Sequence, residues 1–199
     1  MDITQLILDD HHEQRRLFAI LEQVGRADTE VLTALWSRLA AFLELHAAAE
    51  EEIFYPELLR VGTSARRTGQ VEAETLDAIH DHNDIRDAVS AVAGHQVGSA
   101  EWYVAVTAAN VANSDHMAEE EREGLTDFRH LASLQRRHDL GVMFAAFEAR
   151  NWGGVQPEDK DPAGYVRAVE EALGPPPEDT AGPQGPPDGS LSIGSLKNA

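Results

Sequence analysis

Residues 39–56 read LAAFLELHAAAEEEIFYP, and the fold is decided by how this stretch interrupts its own pattern. Leu39, Phe42 and Leu43 recur at helical spacing, and the apolar face resumes at Ile53. Between them the same face carries His46 and Glu50. The pair is four positions apart, so imidazole and carboxylate stand one turn apart on one side of a helix. The spacing returns at His116-Met117-Ala118-Glu119-Glu120, where Ala109 leads into the pair through Asn113.

Outward from this stretch the spacing stays helical. It predicts helices over about 3–24, 29–60, 70–93 and 100–123, then a further helical stretch over 126–150. The breaks fall at Gly25 to Asp28, Gly62 to Gly69, Gly94 to Ser99 and Gly124 to Thr126. Short loops between long helices favour antiparallel neighbours. The expected fold is therefore all-α, an up-down-up-down four-helix bundle over 1–125 with a helical extension over 126–173. Asp161-Pro162 reads as an N-cap and first helical residue, with Gly174 as the stop of a short helix over 162–173. From Gly174 to Ala199, eleven of 26 residues are Gly or Pro, which predicts a flexible tail too poor in apolar surface to order itself.

All four bundle seams are broken near the middle by the same kind of residue. The first passes from Ile7 through Asp10-His11 to Gln14, and the third carries His82 between Ile79 and Ile85. At 1.5 Å rise per residue, His11, His46, His82 and His116 all fall near their helix midpoints and can share one slab of the bundle. An isolated buried carboxylate costs several kcal/mol, against a net domain stability of only ~5–15 kcal/mol. Four imidazoles and two carboxylates around a cationic metal pair remove that cost. The expected ligands are His11, His46, Glu50, His82, His116 and Glu120, with each Glu bridging the pair. Oxygen and imidazole donors suit iron, manganese or zinc. No Glu-x-x-His occurs, which argues against the ferritin-like carboxylate class.

Composition narrows the function from another side. There is no cysteine, which excludes disulfides, iron–sulfur clusters and thiolate zinc sites. A net charge of −19 disfavours binding to nucleic acid or to an anionic membrane surface. No apolar run approaches the roughly 20 residues of a membrane span, and the acidic N-terminus does not read as a signal peptide. A cytoplasmic protein is expected. Nucleophile triads, phosphate loops and nucleotide fingerprints are lacking.

These motifs resemble the hemerythrin family, in its bacterial branch of HHE cation-binding domains. The resemblance rests on Asp10-His11 with Gln14-Arg15, His46 to Glu50-Glu51 running on to Tyr55-Pro56, His82 with Ile85-Arg86, and His116 to Glu120-Glu121. It implies two iron ions (Fe²⁺/Fe³⁺) with an oxo or hydroxo bridge, and reactivity towards dioxygen, peroxide or nitric oxide. Catalase-like or peroxidase-like turnover would be its enzymatic form, in oxidative or nitrosative stress handling. An iron- or oxygen-sensing module signalling to a protein partner is the alternative, and a storage or purely structural bundle is a third. Oxygen-carrying members have an Asp five residues after the last-helix His, where Glu121 stands here, so redox chemistry or sensing is favoured over oxygen carriage.

The neighbouring residues have blander readings. Glu51 and Glu121 are expected as solvated groups or as outer partners of the ligands, and Tyr55, about 180° around an ideal helix from His46, as a packing residue. His80 points to a different side of its helix from His82. His12, His95, His130 and His138 are expected on the surface.

Overall fold

The structure is a computed structural model that describes residues 1–174. It contains α1 (Ile3–Gln23), α2 (Thr29–Ala49), α3 (Tyr55–Ser64), α4 (Thr68–Val92), α5 (Ala100–Arg122), α6 (Gly124–Leu131), α7 (Leu134–Asn151) and α8 (Pro162–Leu173), with no strand among the described residues. The tail expected beyond Gly174 lies outside them.

Local chemistry sets the helix starts. The Asp2 side chain accepts from the Thr4 N–H at 3.0 Å, Ser99 from Trp102 at 3.0 Å and Asp161 from Gly164 at 2.9 Å. Each satisfies a backbone donor that has no partner in the first turn. Gly98, in the loop before α5, has φ of 81°, and a Cβ there would lie 2.3 Å from the Arg26 carbonyl oxygen, so the loop needs glycine.

The bundle is formed by α1, the α2–α3 pair, α4 and α5, as the short loops predict; α4 packs along α5, and α1 along α2. Later helices cover this frame: α7 lies against α1 and α2, α8 against α4 and α3, and α6 beneath α3 and α5. The apolar interior divides in two. One cluster gathers Ile3, Ile7, Phe54, Leu58, Ile79, Phe128 and Phe144. The other gathers Leu17, Leu21, Leu39, Leu43, Ile85, Trp102 and Val106. The histidines of α1, α2 and α4 fall between these groups, and His116 of α5 lies between Ala109 of the second group and Leu125 of α6 in the first. A polar layer at the waist is thus enclosed by two apolar blocks that hold the helices around it.

Three elements differ from the sequence expectation. The helix expected over 29–60 is not one α-helix, because a π-helical turn over Glu50–Phe54 separates α2 from α3. Gly62 lies inside α3 and does not break it: a Cβ there would sit 2.2 Å from Val71 Cγ2, so glycine allows the close approach of α3 and α4. The stretch expected over 126–150 is two helices. Ala132 is extended (ψ 138°), and the Ser133 side chain accepts from the Arg136 N–H to start α7. No helix among the described residues is long and apolar enough to cross a membrane.

Candidate metal centre

The six expected residues meet at the waist. His11 comes from α1, His46 from the last turn of α2, Glu50 from the π turn, His82 from α4, and His116 and Glu120 from α5; none is more than 6% exposed. Ligand atoms of His11, His46 and Glu50 lie within 4.8 Å of one another, and so do those of Glu50, His82 and His116. Glu50 belongs to both groups. Its Oε1 is 3.0 Å from His46 Nε2 and its Oε2 is 3.4 Å from His82 Nε2.

Each imidazole has a carboxylate at its outer nitrogen. Nδ1 of His11 meets Glu121 at 2.9 Å, that of His46 meets Asp10 at 3.0 Å, and that of His82 meets Glu51 at 2.8 Å. His116 Nδ1 faces Asp81 at 3.5 Å. A carboxylate acceptor places the imidazole proton on Nδ1 and turns the Nε2 lone pair inward.

The inward atoms lack partners of their own. His11 Nε2, His46 Nε2, both oxygens of Glu50 and Oε2 of Glu120 are buried without a hydrogen bond. Leaving one such group unsatisfied costs about 1–3 kcal/mol, and here five converge. His82 Nε2 and His116 Nε2 stand 3.1 Å apart, bringing two lone pairs together. Cations are what this donor set fits: neutral nitrogen and anionic oxygen, with no thiolate.

Titration follows the same demand for positive charge. Burial opposes charge on His82, yet Glu50 and Glu51 push it up to about 9. His46 is raised well above its ordinary value against burial by Glu50 and Asp10, and Glu50 is held well below the carboxylate range by His46 and His82. Glu51, despite burial, is held at about 2 by His82, Lys160 and Arg86.

Residues 2–126 match the hemerythrin HHE cation binding domain. The chain belongs to that family. A solved hemerythrin HHE cation binding domain-containing protein from Mycobacterium kansasii has the same fold, with a TM-score of 0.63 at 16% identity, over 84% of this chain and 99% of that one. No curated protein matches the chain. The family binds cations, and this member carries His/Glu clusters able to hold them.

Within this hemerythrin-family site, two readings change. Sequence symmetry suggested that both glutamates bridge equally. Glu50 alone joins both groups; Glu120 Oε2 lies 3.3 Å from His11 Nε2, while its Oε1 accepts from the Tyr55 hydroxyl at 2.8 Å. Tyr55 was expected to pack away from the ligands, an argument that assumed an unbroken α-helix from His46. The π turn changes the angular register between them and carries Tyr55 into the site, where its hydroxyl is held neutral by burial and by Glu120. A π turn has no composition signature, but such turns are frequent at functional sites.

Other placements follow expectation. Glu51 and Glu121 are histidine partners, Glu51 being fully enclosed and Glu121 partly exposed. His80 is exposed and 3.8 Å from Asp84, and His12, His95, His130 and His138 are exposed too. Sequence reasoning gave the extension no role at the site. Phe144 of α7 nonetheless sets its ring against His46, with centroids 6.2 Å apart. Glu148 of α7 reaches Asp10, and burial together with Asp10 raises its carboxyl to about 8.

A cavity of about 460 Å³ leads to the site from the surface. Its floor includes His46, His82 and His116, and its walls include Trp36, Leu43, Ile85 and Val89, with Val155 and Pro157 from the segment after α7. Glu44 and Arg86 also line it, but they pair with each other at 2.9 Å, leaving a largely apolar passage.

Proposed function

We propose that this protein is a non-haem di-iron protein that reacts with a small uncharged oxidant or with nitric oxide, in the handling of oxidative or nitrosative stress. One observation carries the reading: partnerless buried nitrogen and carboxylate atoms converge beside the floor of an apolar cavity. His11, His46 and Glu50 would hold one iron, with Glu120 on the His11 side. Glu50, His82 and His116 would hold the other. When bound, the iron pair supplies redox chemistry towards dioxygen, hydrogen peroxide or nitric oxide.

The chain's own groups set the conditions for that chemistry. Asp10, Glu51, Asp81 and Glu121 keep the four Nε2 atoms aimed inward. Tyr55 donates to Glu120 and fixes the carboxylate's orientation. The cavity walls admit a neutral small molecule and disfavour ions, because Glu44 and Arg86 neutralise one another.

The test is elemental analysis and an ultraviolet–visible spectrum of chain purified without chelators, followed by addition of peroxide or nitric oxide. About two irons per chain, with a spectrum that responds to either reagent, is the expected result. Failure to retain or take up iron anaerobically would overturn the reading. A spectral response without turnover would point to a sensor, for which the contacts between the extension and Glu51 offer a route to a protein partner.

A further inference from the structure

The segment after α7 reaches the metal centre from outside the matched domain. Lys160 Nζ is bonded to Glu51 Oε2, and the other oxygen of Glu51 takes the His82 Nδ1 proton at 2.8 Å. Arg86 Nη2 donates to that same oxygen at 2.9 Å. The lysine backbone is clamped as well. Asn83 Nδ2 donates to the Lys160 carbonyl at 2.7 Å, and the Lys160 N–H donates to Asn83 Oδ1 at 3.1 Å. Tyr165 of α8 donates its hydroxyl to the Glu51 carbonyl, and its ring lies 5.6 Å from the Lys160 ammonium. Three hydrogen bonds thus seat one lysine on the residue that orients His82 and on the residue next to His82 in sequence, and the Tyr165 ring flanks its ammonium.

We infer that Lys160 is a positioning residue of the metal centre, holding Glu51 on His82 and lowering that carboxylate's pull on the imidazole proton. The physical chain is short. A carboxylate shared with an ammonium and a guanidinium is a weaker acceptor than one facing a single N–H, so Glu51 draws less on the His82 Nδ1–H. Without Lys160, Glu51 draws harder on Nδ1–H, His82 becomes a stronger electron donor, and one positive charge leaves the neighbourhood of the site. All three changes favour the more oxidised metal. The side chain of Glu51 is 1% exposed, so solvent cannot replace the missing ammonium without opening the packing. This inference rests on the di-iron reading above, since it concerns how that pair is tuned.

The experiment compares the full chain with Lys160→Met and Lys160→Arg, each loaded with iron. Reduction potential, iron release to an excess of chelator, and proteolytic resistance of α8 are measured. Lys160→Met is expected to shift the potential to more negative values and to slow iron release, because a more basic His82 holds the ion more tightly. Lys160→Arg, which keeps the charge, is expected to restore the potential. Unchanged potential and release in Lys160→Met would overturn the inference. So would equal shifts in both variants accompanied by proteolysis of α8, because the lysine would then act only as an anchor. Wild-type chain that holds no iron would instead overturn the di-iron reading, which separates the two failures.

Discussion

Glu50→Gln is the perturbation that tests the centre most directly. Glu50 is fully buried, both its oxygens lack hydrogen-bond partners, and it alone belongs to both ligand groups. The amide is nearly isosteric, so the substitution removes charge and one acceptor with little change in packing. Free iron at about 100 times its dissociation constant stabilises a chain by about 2.7 kcal/mol per site, hence by roughly 5 kcal/mol for two independent sites. At roughly 2–4 °C per kcal/mol for a chain of this size, iron should raise the wild-type Tm by roughly 10–20 °C. In Glu50→Gln that rise should all but vanish, because both ions lose a ligand. In His11→Ala about half should survive, with about one iron per chain, because His11 belongs to one group only. Differential scanning calorimetry with and without anaerobic Fe²⁺, paired with elemental analysis, reads both quantities. Each protein is compared with its own iron-free form, so any cost of the substitution in the metal-free state cancels. A Glu50→Gln protein that keeps two irons and the full Tm rise would refute the assignment of Glu50 as the shared ligand.

Other consequences are independent of that one. Ala40→Phe places a ring in the wall of the cavity; stopped-flow reaction with nitric oxide should slow while iron content stays at the wild-type level. Gly62→Ala should destabilise the fold by about 1–3 kcal/mol in denaturant unfolding, the usual cost of overpacking, because its Cβ meets buried Val71. Val71→Ala in the same chain should recover part of the loss. Glu57 accepts from Arg136 at 2.6 and 2.7 Å and from Arg60 at 2.8 Å. These arginines hold its carboxyl below the ordinary 4.5 although burial acts the other way. Its folded pKa lies below the unfolded one, so the stability it gives is full above about pH 4.5 and fades as pH falls through the folded value. Glu57→Gln should therefore cost about 1–3 kcal/mol at pH 7, and the gap to wild type should close in acid. A gap that stays constant from pH 7 to pH 3 would show that the charge is not what stabilises.

The sequence by itself determined the bundle and the residues gathered at its waist. Ile7, Phe42, Leu43, Ile79 and Ile85 repeat at helical spacing, and short loops leave antiparallel packing as the economical arrangement. A histidine at mid-height on each seam must then meet the others, because helix rise and loop length fix their level. Periodicity is a property of local backbone geometry, which is why it can be read without coordinates. The tertiary structure decided what periodicity cannot carry. The π turn at Glu50–Phe54 changes the register of everything after it, so Tyr55 turns to Glu120 and the two glutamates lose their expected equivalence. The break at Ala132 and the continuation of α3 through Gly62 depend on capping and on contact with Val71, a partner in another helix. Lys160 sits 109 positions along the chain from Glu51, and no local pattern encodes a contact over that separation. Such contacts arise only when the extension packs on the bundle, and through them the chain beyond the matched domain reaches the site.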